Sequence, residues 1–130
     1  MADQGNAIDV NVDTLNRFVM ASTQDHDLVL LLNSIATSCK LIASAVKRAG
    51  VYHLYGLAGH TNVTGDKQKK LDVMSNEMMM NSLINSGVCA VLVSEENEEP
   101  IIVPEGQRGK YCVAFDPLDG SSNIDCNVSV

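Results

Sequence analysis

Tryptophan is missing from this 130-residue chain, aromatic residues make up only 4% of it, and it holds three prolines. Hydrophobic residues nevertheless reach 45%. Disorder is therefore excluded, and the core must be built from aliphatic side chains and methionine. Basic residues are also scarce, nine Lys and Arg against 16 Asp and Glu for a net charge of −7, and they form no stripe. That balance argues against a nucleic-acid partner, whose phosphates need clustered cations. An acidic chain that handles a phosphate must first offset its own repulsion, so a phosphate ligand would imply a bound cation. No CxxC pair occurs among Cys39, Cys89, Cys112 and Cys126, and each lies in an apolar stretch, so all four are expected as buried, reduced thiols. No run approaches the ~20 apolar residues of a membrane span, and MADQGNAIDV has no basic-then-apolar leader. The expectation is a cytoplasmic protein without a membrane partner, in which the Asn62-Val63-Thr64 sequon is a chance match. No internal repeat or low-complexity tract is present.

What remains is strongly periodic. Asp13 or Thr14 is placed to cap a short helix through Met20, and Ala21 to Asp27 reads as a polar loop. From Leu28 to Lys47, apolar positions recur every three or four residues at Leu28, Leu31, Leu32, Ile35, Cys39, Ile42, Ala43 and Val46. This predicts a long helix capped by Asp27, with Lys47 and Arg48 at its negative end and Gly50 as its stop. Val51 to Gly65 is a connector. Asp66 is placed to cap a second main helix running to about Ser86, stopped by Gly87, with the stripe Leu71, Met74, Met78 and Leu83 in its core. Methionines at helical spacing, such as those in Met78-Met79-Met80, are read as core.

The apolar run Val88 to Ser94 predicts a strand buried on both faces. Ile101 to Val103 predicts a second strand, Gly106 to Lys110 a turn and Tyr111 to Phe115 a third strand. Ile124, Cys126, Val128 and Val130 alternate at period two, as in a half-buried strand. That pattern stops without a closing turn, which predicts that residues 1–130 are a single, incomplete portion of a longer domain. Two main helices followed by a mixed sheet indicate an α+β fold, a layered α/β sandwich.

Two acidic clusters lie just beyond apolar strands: Glu95-Glu96, and Asp116 and Asp119 within DPLDGSSN. Strand ends are where open sheets place ligands. If the two strands are neighbours the carboxylates converge, and at ~4 Å with an effective dielectric of ~20 each like-charge pair costs about 4 kcal/mol. Such a site needs a cation or protons. Carboxylates and backbone carbonyls are the hard donors that Mg²⁺ or Mn²⁺ prefers. Pro117 restricts the backbone so that both Asp side chains and the Leu118 carbonyl could face one point. Gly120-Ser121-Ser122 offers free N–H groups and hydroxyls, a plausible phosphate cradle. Taken singly, an acidic pair after a strand is ordinarily a solvated loop, and DPLDGSS could be a simple turn. The combination is what points to a site.

DPLDGSSN, with Glu95-Glu96 some twenty residues earlier, resembles the signature of the metal-dependent, lithium-sensitive phosphatases. LNRFVM, LLNSI, SAVKRAG, HLYGLAG, NVTGDKQKKLDV, VLVSEEN, RGKY and FDPLDGSSNIDC extend that resemblance over almost the whole chain, specifically to the fructose-1,6-bisphosphatase family. The resemblance implies a sandwich of the sugar-phosphatase type and hydrolysis of the 1-phosphate of fructose 1,6-bisphosphate to fructose 6-phosphate and phosphate. It implies Mg²⁺, or Mn²⁺ or Zn²⁺, held by Asp66, Glu95, Asp116, the Leu118 carbonyl and Asp119. Asp72 and Glu96 would activate the attacking water. Asp119, Gly120, Ser121 and Ser122 would contact the 1-phosphate. A homotetramer and a sugar-bisphosphate ligand are implied in the same way. The rival readings are a sedoheptulose bisphosphatase, an inositol monophosphatase-like enzyme, or a truncated, non-catalytic subunit.

Two departures stand out. Lys110 and Tyr111 resemble the pair with which this family binds the inhibitor AMP, but the Ala21 to Val29 loop is shorter than the family's and lacks its Gly-Thr-Gly. Asp25 and Asp27 would also repel a phosphate placed there. The further carboxylate ligand and the sugar-binding groups that the family carries later are absent, so the fragment alone is expected to be inactive. His26, His53 and His60 lack metal-ligand spacing.

Overall fold

A computed structural model describes residues 13–48, 57–61, 67–121 and 123. Helix α1 (Leu15–Ser22) starts at Thr14, whose Oγ1 accepts a bond from Arg17 N at 3.2 Å, and runs two residues past the expected end. Helix α2 (His26–Lys47) begins two residues earlier than predicted, because its cap is Asp25 rather than Asp27. Asp25 Oδ1 accepts from Asp27 N at 3.1 Å and Leu28 N at 3.3 Å, satisfying amides that the helix leaves open. Asp27 sits in the first turn, where negative charge is also favoured. By length and composition alone α2 could cross a membrane. Here it packs along helix α3 instead, burying Leu31, Ser38 and Ile42.

Strands β1 (Leu57–Thr61) and β2 (Lys67–Lys69) pair antiparallel, and α3 (Lys70–Asn85) follows directly. The helix therefore starts later than the expected cap at Asp66, a residue outside those described. At its other end Gly87, at φ 71°, adopts the left-handed turn that glycine tolerates and donates its N–H to Ile84 O at 3.1 Å. The buried side of α3 is Leu71, Asp72, Ser75, Asn76, Met79 and Leu83. The predicted stripe had Met74 and Met78 in place of the polar members. Apolar spacing could not register a face that buries Asp72, Ser75 and Asn76, of which Asn76 is bonded at both ends of its amide. Met79 joins the core and Met78 packs against it, as expected.

The three-stranded sheet has the order β4-β3-β5, from β3 (Cys89–Ser94), β4 (Ile101–Ile102) and β5 (Tyr111–Phe115). β4 runs antiparallel to β3 and β5 runs parallel to it, with Val93 beside Ala114 and Ser94 beside Phe115. A short 3-10 turn, Glu105–Gln107, lies between β4 and β5. Leu31, Ile42, Met79, Leu83, Val88, Leu92 and Val103 form the shared core of helices and sheet. The expectation of a strand buried on both faces is corrected. Val93 is 44% and Ile102 57% exposed, because among the described residues the helices cover one face only. Cys112 is exposed on β5, and Cys39 is exposed on α2, so of the described thiols only Cys89 is buried. The predicted strand through Ile124 and Val130, with Cys126, lies outside the described residues, as do Gly50, His53 and most of the 51–65 connector.

Candidate active site

Parallel pairing of β3 and β5 is what assembles the acidic site. Both strands run in the same direction, and Glu95 N donates to Phe115 O at 3.2 Å, so the residues leaving each strand emerge side by side. Glu95 and Asp116 meet through their side chains. Their hydrogen bond, together with the negative charge of Asp116 and then partial burial, Glu96 and Asp119, pushes the Glu95 carboxyl above its ordinary range. Carboxylates brought together in this way mark a place where positive charge is wanted.

Asp116 also orders the loop that follows. Its Oδ1 accepts from Leu118 N at 2.9 Å, Pro117 is buried, and Leu118 packs against the core. Gly120 has φ 73°, and its carbonyl accepts from Asn123 N at 2.8 Å, which turns the chain sharply after exposed Asp119. Ser121 is half-buried beside it, and Ser122 lies outside the described residues.

Asp72 is buried in the first turn of α3, one helical turn before Asn76. Asn76 reaches the end of β3: Ser94 Oγ donates to Asn76 Oδ1 at 2.7 Å, and Asn76 Nδ2 donates to Asn97 Oδ1 at 2.8 Å. Glu96, half-buried, lies between those contacts, its N–H donating to Ser94 Oγ at 3.3 Å. Sequence reasoning missed Asn76, Ser94 and Asn97. The available signal was the polar trio Asp72, Ser75 and Asn76 at helical spacing within an apolar helix.

The donor chemistry fits a hard divalent cation, whose charge would offset the repulsion between Glu95 and Asp116. A complete cage is not assembled, since among the described residues no three His, Cys, Asp or Glu side chains are gathered to hold an ion. Asp66, the loop carboxylate suggested by sequence, lies outside them.

Lys110 and Tyr111 sit apart from this cluster. Lys110 Nζ lies 2.9 Å from both oxygens of Asp25 and 3.2 Å from Asp27 Oδ2, while Tyr111 OH donates to Asp25 Oδ2 at 2.7 Å. Lys110 also lies over the Tyr111 ring, 5.3 Å from its centroid. Bonds from Lys110 and then Tyr111 hold the Asp25 carboxyl down at about 2, and the same two aspartates raise Lys110 to about 12. The acids expected to repel a phosphate at Lys110 thus neutralise it themselves.

Residues 13–130 match the family described as fructose-1,6-bisphosphatase, N-terminal domain. The chain belongs to the fructose-1,6-bisphosphatase family. It is 54% identical over 134 residues to fructose-1,6-bisphosphatase 1 of Bos taurus, covering all of this chain and 39% of that protein. Cytosolic fructose-1,6-bisphosphatase of Oryza sativa subsp. indica is 50% identical over 135 residues, again over the whole chain and 40% of the relative. Among solved structures, Leishmania major fructose-1,6-bisphosphatase in holo form aligns with a TM-score of 0.86 at 46% identity, over 89% of this chain and 36% of that one. The chain therefore spans about two-fifths of the length of the curated relatives it matches. The family's α+β architecture is the one observed here, with three α-helices, a two-stranded sheet and a three-stranded mixed sheet among the described residues.

Proposed function

We propose that residues 1–130 are the amino-terminal portion of a fructose-1,6-bisphosphatase and contribute the cation-binding and phosphate-binding half of its site. The observation that carries this reading is the Glu95–Asp116 carboxylate pair at the ends of two parallel strands, in a chain 54% identical to a bisphosphatase. The reaction is hydrolysis of the 1-phosphate of fructose 1,6-bisphosphate, in a cytosolic protein that assembles as a homotetramer. Asp66, Glu95, Asp116, Asp119 and the Leu118 carbonyl would hold Mg²⁺, or Mn²⁺ or Zn²⁺. Such ions neutralise phosphoryl oxygens and make bound water more acidic.

The chain's own residues supply the rest. Asp119, Gly120, Ser121 and Ser122 would contact the 1-phosphate, whose oxygens accept from backbone N–H groups and hydroxyls of this kind. Asp72 and Glu96 take the proton from the attacking water as its oxygen bonds to phosphorus and the ester oxygen leaves with the sugar. Lys110, already shared by two carboxylates, is not proposed as an AMP contact.

In the complete protein Asp119→Ala is expected to lower turnover by roughly 10²-fold or more, as loss of one charge-stabilising group does. Phosphate release from fructose 1,6-bisphosphate in Mg²⁺ measures it, with sedoheptulose bisphosphate and inositol monophosphate as comparison substrates. Activity close to wild type in the variant, or a preference for either comparison substrate, would count against the reading.

A further inference from the structure

We infer that Asn76 is a positioning residue for the acidic turn, clamping Glu95 and Glu96 from the residues on either side of them. Asn76 is 7% exposed and Ser94 4% exposed, so both are polar groups at sites where an aliphatic side chain would pack without needing partners. Burying an amide is costly unless its bonds are made. Both ends of Asn76 are bonded: its oxygen to Ser94, immediately before Glu95, and its nitrogen to Asn97, immediately after Glu96. Ser94 spans the turn as well, accepting Glu96 N on its hydroxyl and Asn97 N on its carbonyl at 3.2 Å. The two glutamates are thereby held between Ser94 and Asn97, both tied to Asn76 of α3, while Glu95 N is tied to β5. Without the clamp, the turn keeps its backbone links to the strands but loses the bonds that Ser94 and Asn97 make to Asn76 on the helix that carries Asp72.

Its functional meaning rests on the reading of Glu95 as a cation ligand, and the experiment separates the two. On the complete protein, backbone amide exchange at Glu96 and Asn97 is compared with Val113 in β5 for wild type, Asn76→Ala, Asn97→Ala and Asn97→Asp, the last keeping the acceptor oxygen. Exchange at the turn should quicken roughly tenfold in both alanine variants, with Val113 unchanged and Asn97→Asp like wild type. Mn²⁺ titration followed by electron paramagnetic resonance should show affinity weakened roughly tenfold in the alanine variants and kept in Asn97→Asp, the scale expected for groups that orient ligands. Unchanged turn exchange in the alanine variants would overturn the inference, as would acceleration spread equally to Val113. A turn loosened in the alanine variants, together with a wild type that binds no Mn²⁺, would support the clamp and sink the cation site instead. If Asn76→Ala does not fold, Asn97→Ala, at a half-buried position, decides the question alone.

Discussion

Asp25 serves two structures with one carboxylate. It caps α2 through the Asp27 and Leu28 amides, and it receives Lys110 and Tyr111 from the start of β5. Asparagine caps helices about as well as aspartate, so Asp25→Asn removes the charge while leaving a cap. Because the carboxyl sits at about 2 in the folded chain against 3.8 ordinarily, it stabilises the fold above pH ~4, and that contribution is lost as pH falls through 2. Wild type should therefore melt higher than Asp25→Asn at neutral pH, with the gap closing between pH 4 and pH 2; thermal melts across that range measure it. A gap independent of pH would mean that the ion pair contributes nothing. Spacing suggested Asp27 as the cap because both aspartates precede the apolar repeat; Lys110 contacts both, and it is the Asp27 and Leu28 amides bonding Asp25 that distinguish their roles.

Among the elements, the junction of β3 and β5 is the most tightly specified. Gly109 donates to Cys89 O and Tyr111 to Val88 O, each at 2.9 Å, which sets the register that delivers Glu95 beside Asp116. A Cβ on Gly109 would stand 2.1 Å from the Val88 carbonyl carbon, so the backbones themselves would have to separate. Gly109→Ala should cost about 3 kcal/mol or more in urea unfolding, whereas Gly106→Ala, with nothing within 4 Å of its added Cβ, serves as the control. Equal stability of the two variants would contradict this register. The strand itself was legible, since Tyr111 to Phe115 matches its predicted bounds. Its parallel partner was only an assumption in the sequence, because an apolar run does not state which edge it joins.

At the scale of the whole fold, the described helices cover one side of the sheet, and Val93, Ile102 and Cys112 are exposed on the other among the described residues. Thiol labelling with site assignment by mass spectrometry should find Cys39 and Cys112 modified rapidly in the folded chain. Cys89, buried and with its thiol pushed up by that burial, should react only on unfolding. Rapid labelling of Cys89 alongside them would show the core to be looser than described. The prediction that every cysteine is buried failed for a physical reason: apolar neighbours in sequence do not say whether a second layer lies over them.

The three helices, β3 to β5, the acidic strand ends and the family resemblance could be read along the chain, because periodicity, caps and motif spacing are local properties, whereas β1 and β2 lie where a connector and a helix start were expected. Three matters required the folded chain: the contact of Glu95 with Asp116, the neutralisation of Lys110 by Asp25 and Asp27, and the attachment of the acidic turn to Asn76. Each joins segments about 20 to 85 residues apart, and such encounters depend on strand order, pairing direction and helix rotation, which no local pattern encodes.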